Sequence, residues 1–351
     1  MKVFQIEPSI MQYRVPVFNI ISDSVDYTVG YVEDDKSISL CRFKKLKLET
    51  VKVGPLLFLS KSSKIILNQY DVVITSPNLR FWDSITLGLF KTKFKTIGWN
   101  IGIRASYTVN YDANRKHNFL DSIYGFLLFK FDALIFYMSE SKKFWKGRKM
   151  DNVFVAPNTT EVADIEFIPD IKKDILFVGS LYKGKGLDKL VYSFKEAISA
   201  VESNVILHVV GGGAEREAIE ALVRSIGLQD RVIFHGPIYD EIVLATIFQK
   251  SIICVSPTQA GLSVPKSMGY GVPFITRRDA ITGGEIYHIS NQVNGVLYDD
   301  DQELTHILID TMNNPSKYIE MGLNAKTYYN NNATPKHMAD AAIEAIKFVL
   351  K

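Results

Sequence analysis

Cysteine is scarce: the chain has 2 in 351 residues. Cys41 and Cys254 lie far apart and form neither a metal-ligand nor a redox motif. They read as two reduced thiols of a cytoplasmic protein, which excludes a disulfide framework. A long uninterrupted apolar run is also missing. The most apolar stretch, FLDSIYGFLLFKFDALIFYM at 119–138, is broken by Asp121, Lys130 and Asp132. That makes it a poor transmembrane span, and the expectation is a buried helix followed by a strand. The opening MKVFQIEPSIMQYR enters a strand almost at once and has no signal-peptide core. Internal repeats and low-complexity segments are absent. Net charge is only +3, and no nucleic-acid-binding motif accompanies it, so nucleic acid is not expected as a partner.

The charge is small in sum but uneven. Residues 1–165 carry 23 Lys and Arg against 16 Asp and Glu, and the remainder carries 18 against 22. The basic residues cluster at CRFKKLK (41–47), KTKFK (91–95) and SKKFWKGRK (141–149). A solvated surface explains such clusters, and so does contact with anionic lipid headgroups. Hydrophobic content of 47% over 351 residues supports a sizeable core and favours two domains.

The second half alternates strand and helix. DILFVG (174–179) reads as a strand, and Leu187, Leu190, Val191, Phe194, Ile198 and Val201 then recur at helical spacing. VILHVV, AEREAIEALVRSIG, RVIFHG, YDEIVLATIFQK and IICVS continue the alternation. KVFQIE, YTVGYVE, DVVITS, KTIGWN, DALIFYM and NVFVAP are the strand candidates of the first half. This order predicts an α/β fold with parallel sheets. Residues 158–174 read as a linker, and a last helix starts at Thr334–Pro335. Open sheets of this kind bind ligands beyond the carboxyl ends of their strands. The loops after Gly179, Val210, His235 and Ser256 are therefore where to look.

Two glycine-rich segments mislead. GSLYKGKG (179–186) has the spacing of a P-loop, but Gly186 stands where Ser or Thr must hold magnesium. HVVGGGAER (208–216) suggests a dinucleotide fingerprint, but Arg216 occupies the third glycine position and no ribose-binding acid ends the next strand. No metal and no cofactor is implied. What remains is a set of phosphate and hydroxyl binders on successive loops. Lys185 could neutralise a diphosphate. In GLSVPKSMG, Gly261 permits close backbone approach, and the amides of Leu262 and Ser263 open a helix, an arrangement that suits an anion. Read alone, Ser263 is equally a helix cap. Pro265 fits only in a first turn, which starts the helix near Ser263.

ILFVGSLYKGKGLDKL, HVVGGGAERE, VIFHGPI, SPTQAGLSVPKSMGYGVPFIT and GGEIYHISNQVNGVLY, in this order, resemble the retaining glycosyltransferases of family 4. The resemblance spans nearly all of the C-terminal half. It extends loosely to YRVPVFN, IGWNIG and VFVAPN of capsule and lipopolysaccharide members. It implies the GT-B fold: two Rossmann-like, doubly wound domains facing across a cleft. Residues 1–160 would bind the acceptor, with helix 334–351 packed back on them, and 161–333 would bind the sugar nucleotide. It implies a donor site of Ser180, Lys185, Gly236, Pro237, Thr258, Gly261, Leu262, Ser263 and Lys266. Lys185 and Glu285 would serve catalysis, and Tyr13, Arg14, Trp99 and Asn100 would meet the acceptor. The implied partners are a nucleotide-diphosphate sugar, a glycan acceptor either unlinked or carried on a polyprenyl diphosphate, and an anionic membrane face.

Four departures stand out. Ser180 replaces an arginine, and Thr258 and Lys266 replace two glutamates that meet the sugar and the ribose diol. Asn100 and Ile101 stand where related enzymes have a histidine. GGE (283–285) offers Glu285 as a substitute acid, or as a capping residue. Lysine accepts no hydrogen bond from a diol, so Lys266 points to a deoxynucleotide donor, to a ribose held elsewhere, or to a phosphate contact. His235 reads as a structural histidine. Two rival readings stay open, a GT-B sugar-nucleotide epimerase and a nucleotide-binding subunit without catalysis.

Overall fold

The computed structural model describes residues 1–37, 40–104, 112 and 114–351. The described chain divides into two compact units, Met1–Glu161 together with Thr334–Lys351, and Val162–Ala333.

The first unit is built on a seven-stranded sheet. Its strands are β1 (Lys2–Glu7), β2 (Asp26–Tyr31), β3 (Lys44–Lys47), β4 (Val72–Thr75), β5 (Lys95–Asn100), β6 (Ala133–Phe136) and β7 (Val153–Val155). They lie in the order β7-β6-β5-β4-β1-β2-β3, all parallel. The apolar runs VVIT and ALIF are buried throughout, as expected for strands covered on both faces. The basic segment KKLK forms the exposed edge strand β3, where charge discourages further pairing. A hairpin joins Thr50–Val53 to Leu56–Leu59, and neither it nor β3 figures among the strand candidates.

Helix α1 (Val15–Ser22) follows β1 and buries Val15, Val17, Phe18 and Ile21. Helix α2 (Phe119–Leu128) corrects the reading of 119–138. The helix and the following strand β6 are there, but the helix is only half buried. Tyr124, Gly125, Leu127 and Leu128 face inward, while Phe119, Leu120, Ile123 and Phe126 are exposed. Its start is fixed by a capping box of Asn118 and Asp121. Arg115 also grips the Asp121 carboxylate, at 2.6 and 2.8 Å.

The second unit carries β8 (Asp174–Val178), β9 (Leu207–Val210), β10 (Val232–Gly236), β11 (Ser251–Val255), β12 (Phe274–Arg277) and β13 (Gly295–Tyr298). Their order is β10-β9-β8-β11-β12-β13, again all parallel. Helices α3 (Leu187–Ala200), α4 (Arg216–Ser225), α5 (Glu241–Lys250), α6 (Ser263–Gly269), α7 (Asp301–Asn313) and α8 (Pro315–Asn332) cover the faces. Alternate residues of β8 supply two cores. Ile175 and Phe177 join α3 and α7, and Leu176 joins α5 and α6.

Helix α9 (Pro335–Val349) belongs to the first unit. Thr334 caps it by accepting from the amide of His337, and Pro335 stands in the first turn, where no amide hydrogen is needed. Met338, Ala342 and Ile346 bury themselves in the same core as α1.

Candidate functional site

In each sheet the strand order reverses once, and a loop leaving such a point has space for a ligand. In the second unit the reversal lies between β8 and β11. Lys185 leaves β8 and Thr258 leaves β11, so the two segments singled out in the sequence meet there.

Lys185 closes a short 3-10 turn, Lys183–Lys185, and Gly186 follows in the left-handed region at φ 64°. That conformation favours glycine, and it explains why this position is neither Ser nor Thr. The turn folds the lysine back over its own strand end. A Cβ placed on Gly179 would stand 3.4 Å from Lys185 Nζ. Lys185 is buried, and among the described residues its ammonium has no hydrogen-bond or ion-pair partner. Burial pulls its pKa from 10.5 down to about 8, and the nearby Cys254 and Glu285 counter that only in part. At pH 7 it is still about nine-tenths protonated. An unpaired buried cation is costly, and an anionic ligand relieves that cost.

Thr258 is the clasp of this loop. Its hydroxyl donates to the Gly184 carbonyl at 2.6 Å, and its own carbonyl accepts from Ile281 at 2.9 Å. Glu285 lies buried in the following turn. Its carboxylate accepts from Gly283 N at 2.8 Å and from the Thr282 hydroxyl at 3.1 Å, so it is held in a fixed orientation. Ser180 and Pro237 are exposed, and Gly236 is buried at the end of β10.

Helix α6 starts at Ser263 with Leu262 as N-cap, and no side chain caps it. The Ser263 hydroxyl therefore is not the cap that its position suggests. A side chain at Gly261 would meet no atom within 4 Å. Lys266 points to α5, where its ammonium pairs with Glu241. The other Glu241 oxygen accepts from the Tyr270 hydroxyl at 2.8 Å. Glu241 has thus been brought beside the position where a carboxylate was missing, from 25 residues away in sequence.

The glycines of HVVGGG join the loops. Gly211 N donates to Gly236 O, Gly179 N to Val210 O, and Leu181 N to Gly212 O, at 2.9–3.0 Å. Below this rim, buried Asp174 holds His208 Nε2 at 3.2 Å, and His208 Nδ1 meets His235 Nε2 at 2.9 Å. His235 has a structural partner, and burial followed by the nearby His208 lowers its pKa.

In the first unit the reversal lies between β1 and β4. Arg14 follows β1. Its guanidinium donates to Tyr137 OH at 2.8 Å and Asn158 Oδ1 at 2.9 Å, and lies 5.2 Å from the ring centres of both Tyr13 and Tyr137. Asn100 is tied to this group through its backbone, since Tyr137 N donates to Asn100 O at 3.2 Å. Trp99 and Asn100 are themselves buried, and among the described residues Trp99 Nε1 and Asn100 Nδ2 have no partner.

Glu7, the last residue of β1, was not anticipated. Gln5 Nε2 donates to its Oε1 at 2.5 Å, and Tyr27 OH donates to Gln5 Oε1 at 3.1 Å. Burial raises its pKa from 4.5 to about 7, while Arg14 and Gln5 oppose the shift. The only signal in the sequence is an acid closing the first strand. Ionising Glu7 in the folded protein costs stability, and that loss accrues as pH rises from about 4.5 to about 7. Glu7→Gln should therefore be more stable than the parent by about 3 kcal/mol at pH 8, and nearly equal to it at pH 4. Urea titrations at the two pH values check this, and an equal difference at both would refute it.

Residues 172–314 match the family model for glycosyl transferases group 1. An uncharacterised glycosyltransferase of Haemophilus influenzae is 24% identical over 247 residues, 67% of this chain and 65% of that protein. The chain thus spans just under two thirds of that relative's length. Among solved structures, Anabaena HepE in complex with UDP matches with a TM-score of 0.69 at 15% identity, over 99% of this chain and 100% of that one. WaaG, a glycosyltransferase of lipopolysaccharide biosynthesis, matches with a TM-score of 0.65 at 14% identity, over 96% and 98%. The fold is that of the GT-B glycosyltransferases, with two Rossmann-like domains.

Proposed function

We propose that the protein is a glycosyltransferase. It would move a sugar from a nucleoside-diphosphate donor to a lipid-linked bacterial surface glycan, with retention at the anomeric carbon and without a metal. The observation that carries this reading is Lys185, a buried cation at the β8/β11 reversal with no hydrogen-bond or ion-pair partner among the described residues. Such a group is suited to a leaving diphosphate, whose negative charge grows as the glycosidic bond breaks. The amides of Leu262 and Ser263 would add hydrogen bonds to it. Attack from the leaving-group side requires no enzymatic nucleophile, and the departing phosphate can take the proton of the acceptor hydroxyl. The acceptor would lie on the first unit, near Tyr13 and Arg14. HepE of the same fold binds UDP and WaaG acts in lipopolysaccharide biosynthesis, which supports a nucleotide sugar and a surface glycan as substrates.

Glu241 bears on the nucleotide. Lysine cannot accept from a ribose diol, but a carboxylate can, and Lys266 holds one in place. A ribonucleotide is then the expected donor, in preference to a deoxynucleotide. Calorimetry with UDP, GDP and dTDP tests both levels of the proposal. A ribonucleotide should bind, and Glu241→Ala should weaken it about tenfold while leaving any dTDP binding alone. Equal losses would remove Glu241 from ribose recognition. Absence of binding to all three, with no glycosylated product from a donor panel and a lipid-linked glycan extract, would sink the transferase reading.

A further inference from the structure

Glu7 closes β1 with one carboxylate oxygen held and the other open. Oε1 accepts from Gln5 Nε2, and Tyr27 OH holds Gln5 in turn. Gln5 and Tyr27 are buried, so β1 and β2 fix the carboxylate from behind. Among the described residues Oε2 has neither a hydrogen-bond nor an ion-pair partner, and Glu7 is only half buried. Arg14 favours the charge on Glu7 without pairing to it. The Arg14 guanidinium instead donates to Tyr137, to Asn158 and to the Met338 sulfur. Glu7 stands at the β1/β4 reversal, where a sheet of this kind takes a ligand. A carboxylate gripped on one side and open on the other lowers stability and returns nothing to the core.

A second open group lies on the same face of the sheet. Ile6 aligns with Thr75, and Thr75 with Gly98. Glu7 and Trp99 are each the next residue, two strands and about 10 Å apart along the sheet. Val3 and Ile97, at even spacing from them, lie with Trp99 in the core under α1 and α9, so Glu7 and Trp99 project to that one side. Trp99 Nε1 is buried and has no acceptor among the described residues. A buried donor left unmet is costly. The face thus offers one unmet acceptor and one unmet donor. A sugar hydroxyl both donates and accepts, and a sugar unit carries several of them. An anionic group could take the tryptophan N–H, but the Glu7 carboxylate would repel it.

We propose that Glu7, through its open oxygen, binds a hydroxyl of an uncharged sugar unit and makes this subsite select against anionic sugars. That the sugar is an acceptor rests on the transferase reading; the subsite itself rests on Glu7 and Trp99. The test is saturation-transfer and titration NMR on the full chain at pH 8. The probes are the methyl α-glycosides of glucose, galactose and mannose, with glucose 6-phosphate and glucuronate as anionic counterparts. At least one neutral glycoside should bind, and more tightly than either anion. Glu7→Gln keeps the shape and can still accept from Gln5, yet it should weaken that glycoside about tenfold, the cost of a hydrogen bond to a charged group. It should also narrow the gap between neutral and anionic sugars, which a purely structural residue would not do. Glu7→Ala should weaken the glycoside as much, and Trp99→Phe, which removes only the N–H and the larger ring, should weaken it too. UDP affinity by calorimetry should stay at the parental value in the Glu7 variants. The proposal is overturned if no neutral glycoside binds, if glucose 6-phosphate binds better than methyl glucoside, or if Glu7→Gln binds sugars as the parent does. Sugar binding that is lost in the Glu7 variants, in a protein that ignores UDP, would uphold the subsite and sink the transferase reading.

Discussion

Lys185→Met is expected to lower donor turnover about a hundredfold to a thousandfold, the usual cost of removing a group that stabilises charge in a transition state. The same substitution should raise the stability of the free protein. Burial holds the Lys185 pKa near 8, against 10.5 in the unfolded chain. Keeping the ammonium charged in the fold therefore costs about 3 kcal/mol at pH 7. The sign follows from the direction of the shift. The penalty is fully present below pH 8, shrinks as pH rises from 8 to 10.5, and is absent in methionine. Loss of activity with gain of stability is the mark of a residue kept for its ligand. A merely structural lysine would lose both together. In the parent, kcat/KM for the donor should fall above pH 8 as the free ammonium deprotonates. The kcat limb should lie at higher pH, because a bound diphosphate holds the proton. Thermal unfolding and initial rates across pH 6–10 decide the matter, and a Lys185→Met protein with undiminished turnover would remove the lysine from the reaction.

Gly211→Ala should be the most damaging small substitution in the second unit, at about 3 kcal/mol or more. Gly211 sits at φ 140°, and a Cβ there would be driven into the Gly179 carbonyl oxygen. Strain and overpacking each contribute about 1–3 kcal/mol. Neither can be relieved by turning a side chain, because the obstacle is backbone. The loop hydrogen bonds Gly211 N to Gly236 O and Gly179 N to Val210 O lie on either side of the clash. Nucleotide affinity should therefore drop with stability, although Gly211 carries no side chain to touch a ligand. Denaturant unfolding with calorimetry on the surviving folded protein tests this. A variant that unfolds at the parental midpoint would show that the rim yields easily.

The central strands were legible because burial on both faces leaves continuous apolar runs such as DILFV and SIICV. The start of α6 was legible because Pro265 tolerates only a first turn. Strand β3 was not, since an exposed edge strand of sequence KKLK has the composition of a solvated loop. The stretch 119–138 was assigned the right elements and the wrong environment. Its apolar residues fall on two faces of α2, and composition cannot tell a second buried face from an exposed one. At the site, Lys185 and the GLS segment stood out because single-loop chemistry is local in sequence. The Glu241–Lys266–Tyr270 group did not, because it joins two helices. The chain of Asp174, His208 and His235 spans three strands, and only the register of the sheet brings it together.

The position of α9 sets an order on synthesis. The first unit takes its core partly from Met338, Ala342 and Ile346, which leave the ribosome after every residue of the second unit. A nascent first unit therefore displays the uncovered face of α1 and its sheet while residues 162–333 are made and fold. The second unit can close early, and the first must wait for a segment more than 170 residues away. Chaperone demand should accordingly concentrate on the part of the protein that is translated first.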